Sequence, residues 1–96
     1  MAVYLMGIIE EITDPATFQA YVEQVGPVVA QYGGSYLFVS PQVEAIEGPP
    51  APAVVAALSF ADAGARRAFW DSPEYDAVKG LRHRSTRSRV LFADAP

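Results

Sequence analysis

Two segments of this chain are apolar on both of their alternating faces, and that doubling limits what the chain can fold into. From Ala2 to Ile12, an extended strand places Val3, Leu5, Gly7 and Ile9 on one side and Tyr4, Met6 and Ile8 on the other. Ala53 to Phe60 repeats the pattern. A strand with one wet face alternates apolar with polar residues, whereas a strand apolar on both sides needs cover on both. One layer of helices covers only one side.

The remaining segments supply such a layer. Asp14-Pro15 opens a helix, with Asp14 as N-cap and Pro15 at the first turn, where its missing N–H costs nothing. Phe18, Val22, Val25, Val29 and Tyr32 recur at three- and four-residue steps and form its inner stripe. Pro27 removes the hydrogen bond to Glu23, which predicts a kink or two short helices meeting near Gly26-Pro27. Gly33-Gly34 closes the helix in a left-handed cap. Ser35 to Ser40 is rich in aromatic and β-branched residues and reads as a strand; Pro41 interrupts it, and Val43 to Glu47 resumes extended structure. Gly48-Pro49-Pro50-Ala51-Pro52 is a stiff loop. Ala61 to Trp70 is a short helix, Ser72-Pro73 starts another that runs to about His83, and Ser88 to Ala93 is the last strand.

The resulting order is strand, helix, strand, strand, helix, strand. It predicts an α+β, ferredoxin-like βαββαβ fold, an antiparallel sheet with helices on one face, as one domain over residues 1–96. The uncovered apolar face predicts a homodimer, each copy covering the other at roughly 25 cal/mol per Å² of apolar area buried.

Composition narrows the function classes. With no cysteine and one histidine, disulfides, thiolate metal sites and multi-histidine metal sites are excluded within one chain, and no cofactor is implied. Met1-Ala2-Val3-Tyr4 has no basic stretch, and the apolar run after it ends at Glu10-Glu11, which is neither a secretory signal nor a membrane span. A soluble, cytoplasmic protein is expected, with no membrane partner. Net charge is −4, yet all seven basic residues lie after residue 65, among only four acids. An acidic chain with one short basic stretch and no recognition motif is a poor nucleic-acid binder; the stretch reads as solvated element ends or as a docking site for an anion or an acidic partner.

With the elements placed, the chain resembles the domain-of-unknown-function family numbered thirteen-thirty, within the dimeric α/β-barrel superfamily. The residues that carry the resemblance are Val3-Tyr4-Leu5, Asp14-Pro15, Tyr32-Gly33-Gly34 with Tyr36-Leu37, and above all Ala68-Phe69-Trp70-Asp71-Ser72-Pro73-Glu74-Tyr75 followed by Arg82. The resemblance implies a homodimer packed sheet to sheet and a small organic ligand in a cleft between sheet and helices; it implies no particular reaction. Similar proteins often carry Arg after the Gly-Gly pair, where this chain has Ser35, and the strand from Ala53 is unusually rich in alanine. Both departures imply a cleft with smaller, less charged walls.

Arg82 falls one turn after Val78 and two after Tyr75 on the inner helix face. It is a candidate for bidentate capture of a carboxylate or enolate, or for an ion pair with Glu74, Asp76 or Glu10. His83, between Arg82 and Arg84, is disfavoured in its protonated form and is a candidate general base, although a solvent-facing histidine at a helix end is the commoner case. Trp70 and Tyr75 are helix packing or aromatic cleft walls. Tyr32, Ser35 and Tyr36 follow the first helix and are candidates to turn hydroxyls toward the cleft; Tyr4 and Glu10 are the polar candidates on the first strand. Ser72 is an N-cap rather than a nucleophile, since no base and orienting acid stand at recognisable spacing around it.

These residues support a small-molecule-binding protein that acts as a cofactor-independent enzyme, an isomerase, cyclase or lyase doing proton transfer on an aromatic or carbonyl compound. Arg82, His83 and Tyr75 would be catalytic, and Tyr4, Tyr32, Ser35, Tyr36 and Trp70 would bind the ligand. One alternative is a non-catalytic interaction protein that docks through Lys79 to Arg89. A weaker one is a cofactor-independent monooxygenase; the haem-degrading members of the superfamily combine an Asn on the first strand with Trp and His, and that Asn is absent here.

Overall fold

The computed structural model describes residues 1–96. In chain order the elements are β1 (Ala2–Ile12), α1 (Pro15–Gln31), β2 (Ser35–Ser40), β3 (Val54–Phe60), α2 (Ala63–Trp70), α3 (Pro73–Ser85) and β4 (Thr86–Ala95). The strands form one antiparallel sheet in the order β2-β3-β1-β4, so the two doubly apolar strands are its centre. This is the ferredoxin-like arrangement, with the helices on one face.

Register sorts the side chains. Val3, Leu5, Gly7 and Ile9 pair with Phe60, Leu58, Ala56 and Val54 on β3, and this set lies under the helices. Val25, Val28 and Val29 from α1, Phe69 from α2, and Tyr75 and Val78 from α3 complete the core. Tyr4, Met6 and Ile8 lie on the opposite face, beside Ala57, Val55 and Leu91. At the β2 edge a bulge between Tyr36 and Phe38 leaves Leu37 and Phe38 55% and 49% exposed.

Local chemistry sets the element ends. Asp14 caps α1 by accepting from Thr17 N–H and Thr17 Oγ1. At the other end Gly33 adopts φ 76°, and the N–H groups of Gly33 and Gly34 return to the carbonyls of Ala30 and Val29. Gly34 also permits close packing, because a Cβ there would stand 2.8 Å from the Phe60 ring and from Val29. Ser72 caps α3: its Oγ accepts from Tyr75 N–H at 3.0 Å and donates to the Phe69 carbonyl at 2.8 Å.

Three expectations are corrected. The first helix is one continuous element through Pro27, because proline removes only the single bond to the carbonyl of exposed Glu23, which water can satisfy. The inner stripe of α1 is as expected: Val25 and Val29 are buried, Phe18 and Val22 border the space between α1 and the sheet with Val22 still 44% exposed, Tyr32 packs on the core, and Val28 joins them. Residues 43–47 pair with no strand. The second helix begins at Ala63 rather than Ala61, since Asp62 caps it by accepting from Ala65 N–H. No helix is long and apolar enough to cross a membrane.

Candidate functional site

The space between α1 and the sheet is not filled. The strand floor beneath it is made of the smallest residues in the two central strands, Gly7 paired with Ala56, while α1 spans above on Phe18, Tyr21 and Val25. What remains is a cavity of about 260 Å³. That exceeds the ~150 Å³ that admits benzene in an engineered core and approaches the roughly 300 Å³ at which small-molecule sites begin.

The walls are apolar apart from three tyrosines and one arginine, and Arg82 is the only charged residue among them. Tyr21 and Tyr75 bring their hydroxyls to 3.1 Å of each other, and Tyr36 stands at the β2 side. Burial, followed by the neighbouring Tyr75, pushes the Tyr21 and Tyr36 phenols above their ordinary range. At neutral pH both are therefore protonated and can donate hydrogen bonds, but they are poor bases.

Arg82 enters the cavity from α3 and is only 5% exposed. Its Nη1 donates to Ser88 Oγ at 2.9 Å, and its Nη2 lies 3.3 Å from His83 Nε2. Its Nε is buried without a partner. None of the four ion pairs involves it, so the expected pairing with Glu74, Asp76 or Glu10 does not form. Glu74 instead accepts from Tyr32 Oη at 2.7 Å and from Gln31, which holds its carboxyl below the usual range, and Glu10 meets Arg89.

Of the residues singled out from the sequence, Arg82, Tyr75 and Tyr36 line the cavity. His83 is exposed and touches the site only through Arg82; accepting from Nη2 requires its Nε2 lone pair, the neutral form. Partial burial and then the charges of Arg82 and Lys79 lower its pKa in keeping with that. Tyr4 and Ser35 flank Ser59 on the other face of the sheet. Tyr32 is engaged with Glu74, and Trp70 packs against Tyr75 and Phe92 beside a surface depression. Tyr21, which the sequence reading passed over, stands in the wall; its signal was its spacing, three residues after Phe18 and four before Val25.

The basic stretch is largely spent within the chain. Lys79 pairs with Asp76 at 3.3 Å, Arg89 with Glu10 at 3.5 Å and Arg67 with Asp71 at 3.9 Å, and Arg66 and Arg82 are buried. Only Arg84 and Arg87 are exposed without an ion pair. No group of three or more His, Asp or Glu side chains could hold a metal ion.

No curated protein matches the sequence. Among solved structures, the chain is similar to RPA0582 of Rhodopseudomonas palustris, a protein of unknown function, at 16% identity and TM-score 0.80 over 99% of this chain and 82% of that one. A dimeric ferredoxin-like protein of unknown function from Jannaschia sp. CCS1 matches at 11% identity and TM-score 0.78, over 99% and 100%. SnoaB of Streptomyces nogalater, a cofactor-independent oxygenase, matches at 14% and 0.65, over 99% and 91%. At these identities the likeness shows the fold. A model of the family described as a domain of unknown function (DUF1330) matches residues 2–96, and the chain belongs to that family.

Proposed function

We propose that the cavity beneath α1 binds a small aromatic or carbonyl compound, and that the chain acts on it as a cofactor-independent isomerase, cyclase or lyase. The observation that carries this reading is the unfilled, apolar space over Gly7 and Ala56. Arg82 and the tyrosine hydroxyls supply donors for the negative charge that builds when a carbonyl compound enolises. The walls hold no carboxylate and no histidine, so His83 is assigned the task of orienting Arg82, and the proton is accepted by the substrate itself or by solvent.

Ligand-observed NMR with acetophenone and benzoate tests the reading. Binding is expected to the natural chain and to be lost in Ala56→Leu, whose larger side chain fills the floor. If neither compound enters the cavity of the natural chain, the proposal is wrong.

The same proposal includes a homodimer. Tyr4, Met6, Ile8, Phe38 and Leu91 give the open face an apolar character that a soluble monomer does not usually carry. The Jannaschia protein, of the same fold, is described as dimeric. Sedimentation should give twice the chain mass, and Met6→Asp, on the open face, should reduce it to one. A natural chain that sediments as a monomer contradicts this.

A further inference from the structure

We propose that the cavity selects a flat organic monoanion, an aromatic monocarboxylate, with the carboxylate on Arg82; this rests on the small-molecule reading above and narrows it. The guanidinium has five N–H donors. Within the chain it meets two acceptors, Ser88 Oγ and His83 Nε2, both neutral, and its Nε meets none. A buried cation with no counter-charge is costly, and an anion that reaches the guanidinium from the cavity removes the unpaired charge.

Charge balance fixes the valence. Arg82 is the only charged wall residue, so one negative charge neutralises the cavity and a second would be stranded among apolar walls. A phosphate would find no second cation at this site. Size and shape fix the body. About 260 Å³ accommodates one ring with a substituent or a small fused pair, and the side-chain-poor floor at Gly7 and Ala56 suits a flat ring. The paired hydroxyls of Tyr21 and Tyr75 are placed to read a second polar group such as a hydroxyl or a ketone.

Calorimetry with matched probes separates this proposal from the one on which it rests. Benzoate is expected to bind at least tenfold more tightly than benzamide, which has the same outline without the charge. Monomethyl terephthalate is expected to bind at least tenfold more tightly than terephthalate, which is smaller but carries two charges. In Arg82→Met the preference for benzoate over benzamide should vanish while benzamide binding persists; both comparisons on the natural chain stand even if that variant fails to fold. Equal binding of benzoate and benzamide, or tighter binding of terephthalate, overturns the monoanion proposal and leaves small-molecule binding intact. No binding by any of the four overturns both.

Discussion

Arg66 and Arg82 are buried to nearly the same depth, 6% and 5% exposed, and each leaves its Nε without a partner, yet their surroundings differ. Arg66, on α2, donates through Nη1 to Asp94 Oδ1 at 2.6 Å and to the Tyr4 carbonyl at 2.9 Å, and its guanidinium lies 4.3 Å from the centre of the Phe92 ring. It ties α2 to both β1 and β4, and its charge is neutralised within the chain. Arg82 meets a hydroxyl and an imidazole and borders an empty space. Burial of a cation opposes folding unless an anion and further hydrogen bonds offset it. The first arginine therefore belongs to the fold, while the second is buried without a counter-charge, which is the feature the proposed ligand would answer.

The largest effect on stability should come from the paired arginine. Arg66→Met leaves Asp94 without its cation and is expected to lower the unfolding free energy by about 1–3 kcal/mol in urea denaturation. This is less than the roughly 3–5 kcal/mol for a fully buried pair, because the Asp94 side chain keeps 42% of its surface in water. No loss in this variant would erase the distinction between the two sites.

Next in size is the support of the unpaired arginine. Ser88→Ala deprives Nη1 of its acceptor and should cost about 1 kcal/mol, and the cost should shrink where Arg82 is already Met, leaving the part that belongs to the Thr86 Oγ1 contact with Ser88 Oγ at 2.9 Å. An undiminished cost in the double variant would separate Ser88 from Arg82.

Gly7→Ala sharpens the contrast from the floor of the cavity. A Cβ there would stand 3.9 Å from that of Ala56, an ordinary contact, so stability should hold or rise by about 0.5 kcal/mol. Affinity for benzoate should nevertheless fall several-fold as the floor rises. Loss of stability with unchanged affinity would place the ligand elsewhere.

The smallest effect is one of pH. His83 has its pKa lowered from 6.5, so below that value the unfolded chain takes up a proton that the folded chain resists. Stability is therefore flat above about pH 6.5 and declines as pH falls through it. In His83→Gln that part of the decline should be absent; an identical profile would separate His83 from Arg82.

Most of the fold was legible because its signals are local or periodic. Asp14-Pro15, Ser72-Pro73 and Gly33-Gly34 mark helix ends by chemistry that acts within four residues, and the doubled faces of the central strands report burial directly. What escaped depends on neighbours distant in sequence. Alternation sorts Tyr4 from Val3, but only packing decides which set lies under the helices, and Tyr4 falls outside. Arg66 read as one member of a basic stretch because Asp94, its partner, is 28 residues away. In the sequence Gly7 is one more position on the apolar face of the first strand, and its role as floor appears only when Ala56 is set beside it. Arg82 was legible from its helical spacing after Tyr75 and Val78, whereas the absence of a carboxylate around it was not, since that is a property of the assembled surroundings.

The most direct test is the unfolding free energy of ligand-free Arg82→Met, measured beside the natural chain and Arg66→Met. If Arg82 is an unpaired cation kept for a ligand, replacing it by an apolar side chain of similar length removes a buried charge and strands no anion. The variant should then be as stable as the natural chain or more so, while Arg66→Met is less stable. A loss in Arg82→Met as large as that in Arg66→Met would show that Arg82 holds the fold together, and would contradict the account.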